Sequence, residues 1–364
     1  MLLLSRVAWV QKSMLHTAAP GSLLKLRSQL VDTMDWVETG GGAGTNRELL
    51  GRLRGMDSIL EPVVHSVFAI SELRVESLEW RRHAGSVFEA VGSGDRVYPC
   101  SSWEQVKQRV GPYRRVFAFF HPQLPEDPLA FVCVALSDHL CQDVQAILNA
   151  DISPNTVEDP RKCSHAIFYS ISSPHSGLRG QHMGDPLIKE ATKQLMAASG
   201  SYVHVFSTLS PIPGFREWLI QYLVEGHCQS TTLHRHLHSG KLWQELPDTQ
   251  ALKSALAHDG GLSLDLNTLR QLEETLKTLC CRYLYHEKGP RGSVLNRVAN
   301  FHIQNGATLF RVNSAGDLSS SGMARSLGML VNYKYEVPNI VDNAKQFDKF
   351  RTVPVSSEVH QMLL

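Results

Sequence analysis

Apolar residues in the first hundred positions recur at helical spacing. They fall every three or four residues on both sides of a glycine-rich stretch at 39–46. That stretch holds four glycines and cannot remain helical, so it separates two helices. The pattern predicts a small helical domain from Leu23 to about Trp103, with apolar positions at Leu24, Leu30, Met34, Val37, Leu49, Leu50, Leu53, Met56, Leu60 and Val64.

The apolar period changes after Gly111, where short runs rich in Val, Phe and Leu begin. The first two runs predict an antiparallel strand pair, and the third leads through a glycine-bearing loop and a helix near Pro186–Ala198 to another strand. A helix around Trp218–Leu223 and one long helix with an apolar face from Leu269 to Tyr283 follow. The chain is therefore predicted to be α+β, with strands at Val116–Phe120, Leu129–Leu136, Ala166–Ser172, Tyr202–Leu209, Ala307–Val312 and Leu330–Tyr335.

Composition narrows the class of protein. Of the 364 residues, 43% are hydrophobic and 20% are charged, a balance typical of a soluble globular protein long enough for two domains. Lys and Arg number 36 against 35 Asp and Glu, and the formal charge of +1 indicates no nucleic-acid partner. No apolar run is long enough to predict a membrane span. The seven cysteines show no CxxC spacing, which favours a reducing compartment.

The N-terminal stretch, residues 1–22 and a little beyond, has the composition of a transit peptide. Arg6, Lys12, Lys25 and Arg27 are spread through it, and the first acidic residue is Asp32. An ordinary amphipathic helix, or the cut end of a longer helical domain, would give the same pattern. We expect a mitochondrial matrix protein, with the cytoplasm as the alternative, because the C-terminal HQMLL is not an SKL-type peroxisomal signal.

A glycine-bearing loop, SGLRGQHMGD at 176–185, lies between a predicted strand and a predicted helix. Its glycines let backbone N–H groups approach a phosphate, the helix N-terminus adds partial positive charge, and Arg179 supplies a full one. An ordinary strand-to-helix turn would have the same composition. The arrangement is similar to the pyrophosphate-binding loop of GNAT acyltransferases, which hold coenzyme A at this junction.

The segment FSTLSPIPGF, at 206–215, follows a strand directly. Pro211 and Pro213 fix two backbone angles, so the chain must leave the sheet along a stiff extended path that holds Ser210 in place. Ser210 is a candidate catalytic residue, or the cap of the following helix. The sequence lacks the GxSxG motif of α/β-hydrolases.

Histidines offer two further candidates. His302 lies in the apolar, amide-rich segment LNRVANFHIQNGA, where neighbouring groups can hold one tautomer for acid–base chemistry; a structural histidine is the alternative. His234, His236 and His238 alternate, but they fall between helical segments, so a solvated loop or helix end is favoured over a metal site. There is no HExxH or Walker motif.

Taken in order, these segments resemble malonyl-CoA decarboxylase from about Leu23 to the region of Tyr335. The most specific matches are VGPYRR at 110–115, AIFYSIS at 166–172, LSPIPGF at 209–215, YLY with EK at 283–288, and VANFHIQNGA at 298–307.

The resemblance implies a helical oligomerisation domain at 23–110 and a GNAT-like mixed-sheet catalytic domain at 111–364 that binds malonyl-CoA. It implies a homotetramer or another homo-oligomer, and it makes Ser210 and His302 the catalytic pair. From the chemistry of decarboxylation we expect Ser210 to orient the substrate carboxylate and His302 to donate a proton. No cofactor or metal is expected, since a thioester enolate forms without an external electron sink. By the same resemblance, the loop that binds coenzyme A in the family corresponds here to Arg179, Gly180, Gln181, His182, Met183, Gly184 and Asp185.

The chain departs from the family pattern in four ways. Its helical domain looks shorter than in animal members, Arg297 replaces a usual proline, His182 stands where an acidic residue occurs elsewhere, and the tail after Tyr335 matches poorly. Two alternatives therefore stay open: a GNAT-type acyltransferase, and a coenzyme A-binding scaffold without catalysis.

Overall fold

The computed structural model describes residues 19–39, 47–150, 153, 156–200, 202–223, 248–262 and 264–364. Three predicted features lie outside these ranges: most of the expected targeting segment, residues 40–46 of the glycine-rich stretch, and the alternating histidines at 234–238. The helices are α1 (Pro20–Glu38), α2 (Arg47–Val67), α3 (Gly85–Gly94), α4 (Trp103–Arg109), α5 (Val144–Leu148), α6 (Gly184–Ser199), α7 (Phe215–Leu223), α8 (Thr249–Ala257), α9 (Leu266–Gln271), α10 (Glu273–His286), α11 (Arg297–Gln304), α12 (Ser320–Ser326), α13 (Ile340–Phe350) and α14 (Ser357–Leu363).

The strands form one mixed sheet in the order β1-β2-β3-β4-β5-β8-β6, with β7 also paired to β8. Strands β4 and β5 run parallel, whereas the β1–β2, β5–β8, β6–β8 and β7–β8 pairs are antiparallel. Helices ahead of a mixed sheet confirm the α+β prediction. The strands are β1 (Arg74–Ser77), β2 (Arg114–Phe120), β3 (Ala130–Ser137), β4 (His165–Ser172), β5 (Val205–Thr208), β6 (Ser210–Pro211), β7 (Thr308–Asn313) and β8 (Leu330–Tyr335).

The chain divides into two compact units. The first comprises Met1–Cys133 and Ser170–Ala198, and the second comprises Val134–Tyr169 and Ser199–Leu364. In the first unit, α1 and α2 pack together through buried apolar side chains, as the helical spacing predicted. Strand β1 was not predicted, because its four residues include one apolar side chain, Val75, and show no alternation.

In the second unit, β8 pairs with both β5 and β6 in one unbroken register. Phe206 is opposite Tyr335, and Ser210 is opposite Val331. The predicted long helix is in fact two, because α9 ends at Gln271 and α10 begins at Glu273. The predicted apolar face from Leu269 to Tyr283 is still buried. No helix within the described ranges is long and apolar enough to cross a membrane.

Candidate active site

Ser210 lies at the point where the chain leaves the sheet. It opens β6 opposite Val331, and Pro211 after it faces Leu330. Gly214 then adopts a φ of +85°, a left-handed conformation that glycine reaches without strain, and α7 begins at the next residue. The result is a serine that is only 6% exposed and is held by a strand on one side and a tight turn on the other.

His302 lies on α11, whose first turn is capped by Asn296. The Asn296 side chain accepts a hydrogen bond from the backbone N–H of Ala299 at 2.9 Å, so the helix begins at a fixed point. His302 is 4% exposed, and its Nε2 lies 3.3 Å from Ser210 Oγ. The two residues singled out from the sequence, 92 positions apart, are therefore in contact.

Two tyrosines of β8 surround the His302 ring. Its Nδ1 lies 2.8 Å from the phenol oxygen of Tyr335, and the ring of Tyr333 stacks on it with centroids 4.6 Å apart. Burial lowers the pKa of His302 from 6.5 to about 3. The imidazole is therefore neutral at physiological pH, with one ring nitrogen donating and the other accepting.

Thr208 fixes the hydroxyl of Ser210 from the other side. The two hydroxyl oxygens are 2.9 Å apart, and the backbone N–H of Tyr333 donates to Thr208 Oγ1 at 3.1 Å. The Asn332 side chain donates to the Thr208 carbonyl at 2.7 Å. Hydrogen bonds thus join Thr208 of β5 both to Ser210 of β6 and to β8, and the serine belongs to a buried polar network rather than to an isolated turn.

The predicted phosphate loop belongs to the first unit, where Arg27 of α1 holds its carbonyls. Arg27 is 2% exposed, pairs with Asp57 at 2.8 Å, and donates to the carbonyls of Gly177 at 2.8 Å and Arg179 at 3.0 Å. Ser28 Oγ accepts the Gly177 N–H at 3.0 Å. The loop backbone is therefore fixed on the helical hairpin.

The guanidinium of Arg179 is already paired. It donates to both carboxylate oxygens of Asp35, at 2.8 and 2.6 Å. These hydrogen bonds hold the pKa of the Asp35 carboxyl below its usual value, and both side chains are about half exposed. An anion that used Arg179 would have to compete with this ion pair.

The rest of the loop leads into α6. Gly180 and His182 both have positive φ, +87° and +50°, and the side-chain oxygen of Gln181 lies 2.9 Å from Nδ1 of His65. Met183 is buried, and Asp185 accepts from Lys189 at 2.7 Å. In this described part of the loop, four backbone N–H groups make no hydrogen bond to a backbone carbonyl. They belong to Gly180, His182, Met183 and Gly184.

Sequence reasoning did not single out Thr208, Tyr333, Tyr335 or Asn296. A signal for the tyrosines was present, since Asn332, Tyr333, Lys334 and Tyr335 alternate along β8 and period 2 puts both tyrosines on one face. The contact of Thr208 with Ser210 depends on where β5 stops, which the apolar run Tyr202–Leu209 did not define.

Comparison with known proteins decides the family. The sequence model of one protein family, the malonyl-CoA decarboxylase C-terminal domain, matches residues 72–364. The chain belongs to the malonyl-CoA decarboxylase family. Because the match continues through α13 and α14 to the last residue, the prediction that the tail after Tyr335 matches the family poorly was wrong.

Relatives in this family include the mitochondrial malonyl-CoA decarboxylases of Anser anser anser, 35% identical over 314 residues, and Rattus norvegicus, 33% identical over 314 residues. Each alignment covers 84% of this chain, and the chain spans 61% and 62% of the length of those two proteins.

Solved structures of the family share the fold. The malonyl-CoA decarboxylase from Rhodopseudomonas palustris has a TM-score of 0.79 at 27% identity, covering 96% of this chain and 79% of its own. That from Agrobacterium vitis has a TM-score of 0.77 at 28% identity, covering 95% and 77%. The predicted α+β, GNAT-like architecture of the family is thereby confirmed.

Proposed function

We propose that this chain decarboxylates malonyl-CoA to acetyl-CoA and carbon dioxide, and so controls the malonyl-CoA available to fatty acid metabolism. One observation carries the proposal: Ser210, His302 and Tyr335 form a continuous, buried polar contact in a chain of the malonyl-CoA decarboxylase family. The mitochondrial relatives bear the name of this activity.

The reaction breaks the bond between the carboxylate carbon and the α-carbon. The electron pair of that bond moves into the thioester carbonyl and gives an enolate, and a proton must then reach the α-carbon. The bond breaks fastest when it overlaps the carbonyl π system, so the site has to hold the carboxylate out of the enolate plane. A rigid hydrogen-bond donor and a rigid proton donor meet these two needs.

Ser210 is suited to hold the carboxylate. Its hydroxyl can donate a hydrogen bond to a carboxylate oxygen, and Thr208 and His302 limit the directions in which that hydroxyl can turn. The two prolines that follow restrict the backbone, so little conformational freedom is lost when substrate binds. Ser210 orients the departing group and forms no covalent bond to it.

His302 is suited to deliver the proton. A neutral imidazole whose Nδ1 accepts from the Tyr335 hydroxyl carries its own hydrogen on Nε2, on the side of Ser210. Transfer of that Nε2 hydrogen to the α-carbon, with the Tyr335 proton passing to Nδ1, yields acetyl-CoA, neutral His302 and a tyrosinate that solvent reprotonates. The low pKa of His302 supports this route, because an imidazolium would be scarce at neutral pH.

The loop from Arg179 to Asp185 is the proposed site for the coenzyme A phosphates. Arg27 turns the carbonyls of Gly177 and Arg179 toward α1, and the loop N–H groups that make no backbone hydrogen bond are available to an anion. The α6 N-terminus adds favourable charge. Arg179 would leave Asp35 to reach a phosphate.

We also propose residues 23–110 as the part that joins chains into a homotetramer or other homo-oligomer, and the mitochondrial matrix as the location. Leu49, Met56 and Ile59 of α2 are exposed at 39%, 52% and 47%, and such side chains suit a helix–helix contact. Sedimentation of wild type and of Ile59→Asp tests assembly, and fusion of residues 1–22 to a fluorescent protein tests targeting.

The activity is tested by incubating purified chain with malonyl-CoA and chelator and following acetyl-CoA by mass spectrometry, with and without an amine acceptor. We expect acetyl-CoA and carbon dioxide, and a loss of at least about 100-fold in Ser210→Ala. Malonyl transfer to the amine would favour an acyltransferase, and coenzyme A binding without turnover would favour a scaffold.

A further inference from the structure

The turn that follows Ser210 and the helix that carries His302 are joined by one buried amide. Asn296 is 1% exposed, and its side-chain nitrogen donates to the carbonyl of Pro213 at 2.8 Å. Its side-chain oxygen accepts the N–H of Ala299 at 2.9 Å and caps α11. One planar group thus bonds both segments at once.

Both segments are stiff between the amide and the reactive residues. Pro213 lies three residues after Ser210, and two prolines restrict the backbone over that interval. His302 lies on the same helix as the cap, less than two turns along. A small displacement of Asn296 should therefore change the 3.3 Å distance between Ser210 Oγ and His302 Nε2 by a similar amount.

We propose that Asn296 is a positioning residue for the decarboxylation, which sets the separation of Ser210 Oγ and His302 Nε2 without touching substrate. The inference rests on the proposed function of that pair. Asparagine suits the position because a donor and an acceptor are needed on one short side chain. Serine is long enough to cap the helix but cannot also reach Pro213, and an ionised aspartate caps the helix but has no hydrogen to donate.

Neighbouring contacts show how constrained the position is. Tyr283 of α10 also donates to the Pro213 carbonyl, at 3.4 Å. Burial raises the pKa of Tyr283 to about 12, so this phenol stays protonated across the range in which enzymes are assayed. An added Cβ at Gly214 would lie 3.2 Å from the Tyr283 oxygen, which leaves little room for the turn to move.

The test is Asn296→Asp, assayed for kcat and KM with malonyl-CoA from pH 5.5 to 8.5 and expressed as a ratio to wild type. At high pH the carboxylate keeps the cap and loses the bond to Pro213, so kcat should fall by about 10- to 100-fold while KM changes less than about threefold. At low pH the protonated carboxyl can donate again, so the ratio should rise. Asn296→Ser should lose a similar factor at every pH.

The matched control is Asp265→Ala, which removes the cap of α9 in the same unit, where Asp265 accepts the Thr268 N–H at 2.7 Å. It should lower the melting temperature without changing kcat. Full activity of Asn296→Asp at all pH values, or a loss in Asp265→Ala equal to that of both Asn296 variants, would overturn the inference. A wild-type chain without decarboxylase activity would instead overturn the proposed function, and this inference with it.

Discussion

The Nδ1 atom of His302 lies 2.8 Å from the phenol oxygen of Tyr335, on the opposite side of the ring from Ser210. This contact gives the imidazole a definite orientation and a source of protons. Tyr335→Phe keeps the ring and removes the hydroxyl, so we expect kcat to fall by about 10²- to 10³-fold with malonyl-CoA affinity nearly unchanged. Steady-state kinetics measure both. The control, Tyr202→Phe at a half-exposed surface position, should behave as wild type.

The buried imidazole also makes stability depend on pH. His302 has a pKa of about 3 in the folded chain and about 6.5 when unfolded, so between these values the unfolded state binds one more proton. The free energy of unfolding should therefore decrease as pH falls from about 6.5 toward 3.

His302→Asn does not titrate at this position. Urea unfolding at several pH values gives the free energy of unfolding as a function of pH for wild type and for His302→Asn. Between pH 6 and 4 we expect the slope for His302→Asn to be smaller than that for wild type by about 1.4 kcal/mol per pH unit. Equal slopes would mean that His302 is protonated as readily in the folded chain as in the unfolded one.

The aromatic ring of Tyr333 should stabilise the fold, whereas its hydroxyl should destabilise it. Among the described residues its buried hydroxyl has no hydrogen-bond partner, while its ring stacks on His302. Tyr333→Phe removes the unsatisfied group and keeps the stack, so we expect the free energy of unfolding to rise by about 1 kcal/mol. Chemical denaturation measures it, and a decrease would show that the hydroxyl has a partner in solution.

Asp35 should oppose coenzyme A binding. Asp35→Asn releases Arg179 from an exposed ion pair worth about 1 kcal/mol or less, so coenzyme A should bind up to about fivefold more tightly at low salt. Arg179→Ala should weaken binding. Isothermal titration measures both, with Glu48→Gln as control because Glu48 is an exposed carboxylate that pairs with Arg52. Unchanged affinity in Asp35→Asn and Arg179→Ala would remove Arg179 from the phosphate site.

The sequence predicted most of this architecture because its signals are local. The apolar runs of β2, β3 and β4 and the spacing in α1 and α2 depend on neighbouring residues alone. Other features depend on distant partners: β1 exists because β2 offers it a partner, and Thr208 reaches Ser210 because β8 keeps one register past both strands.

The same distinction applies to the candidate site. Ser210 and His302 were singled out by stiff, unusual segments and by a family resemblance. The residues that orient them were not, since Asn296 and Tyr335 have ordinary local sequences and become significant only through contacts with Pro213 and His302.

The central claim is that His302 gives its proton to the enolate of acetyl-CoA. The direct test is a single-turnover reaction of malonyl-CoA with wild type and with His302→Asn, after coenzyme A binding has been shown equal in both. We predict rapid acetyl-CoA formation by wild type and a loss of about 10²- to 10⁴-fold in the variant. Acetyl-CoA formed by His302→Asn at the wild-type rate would contradict the account.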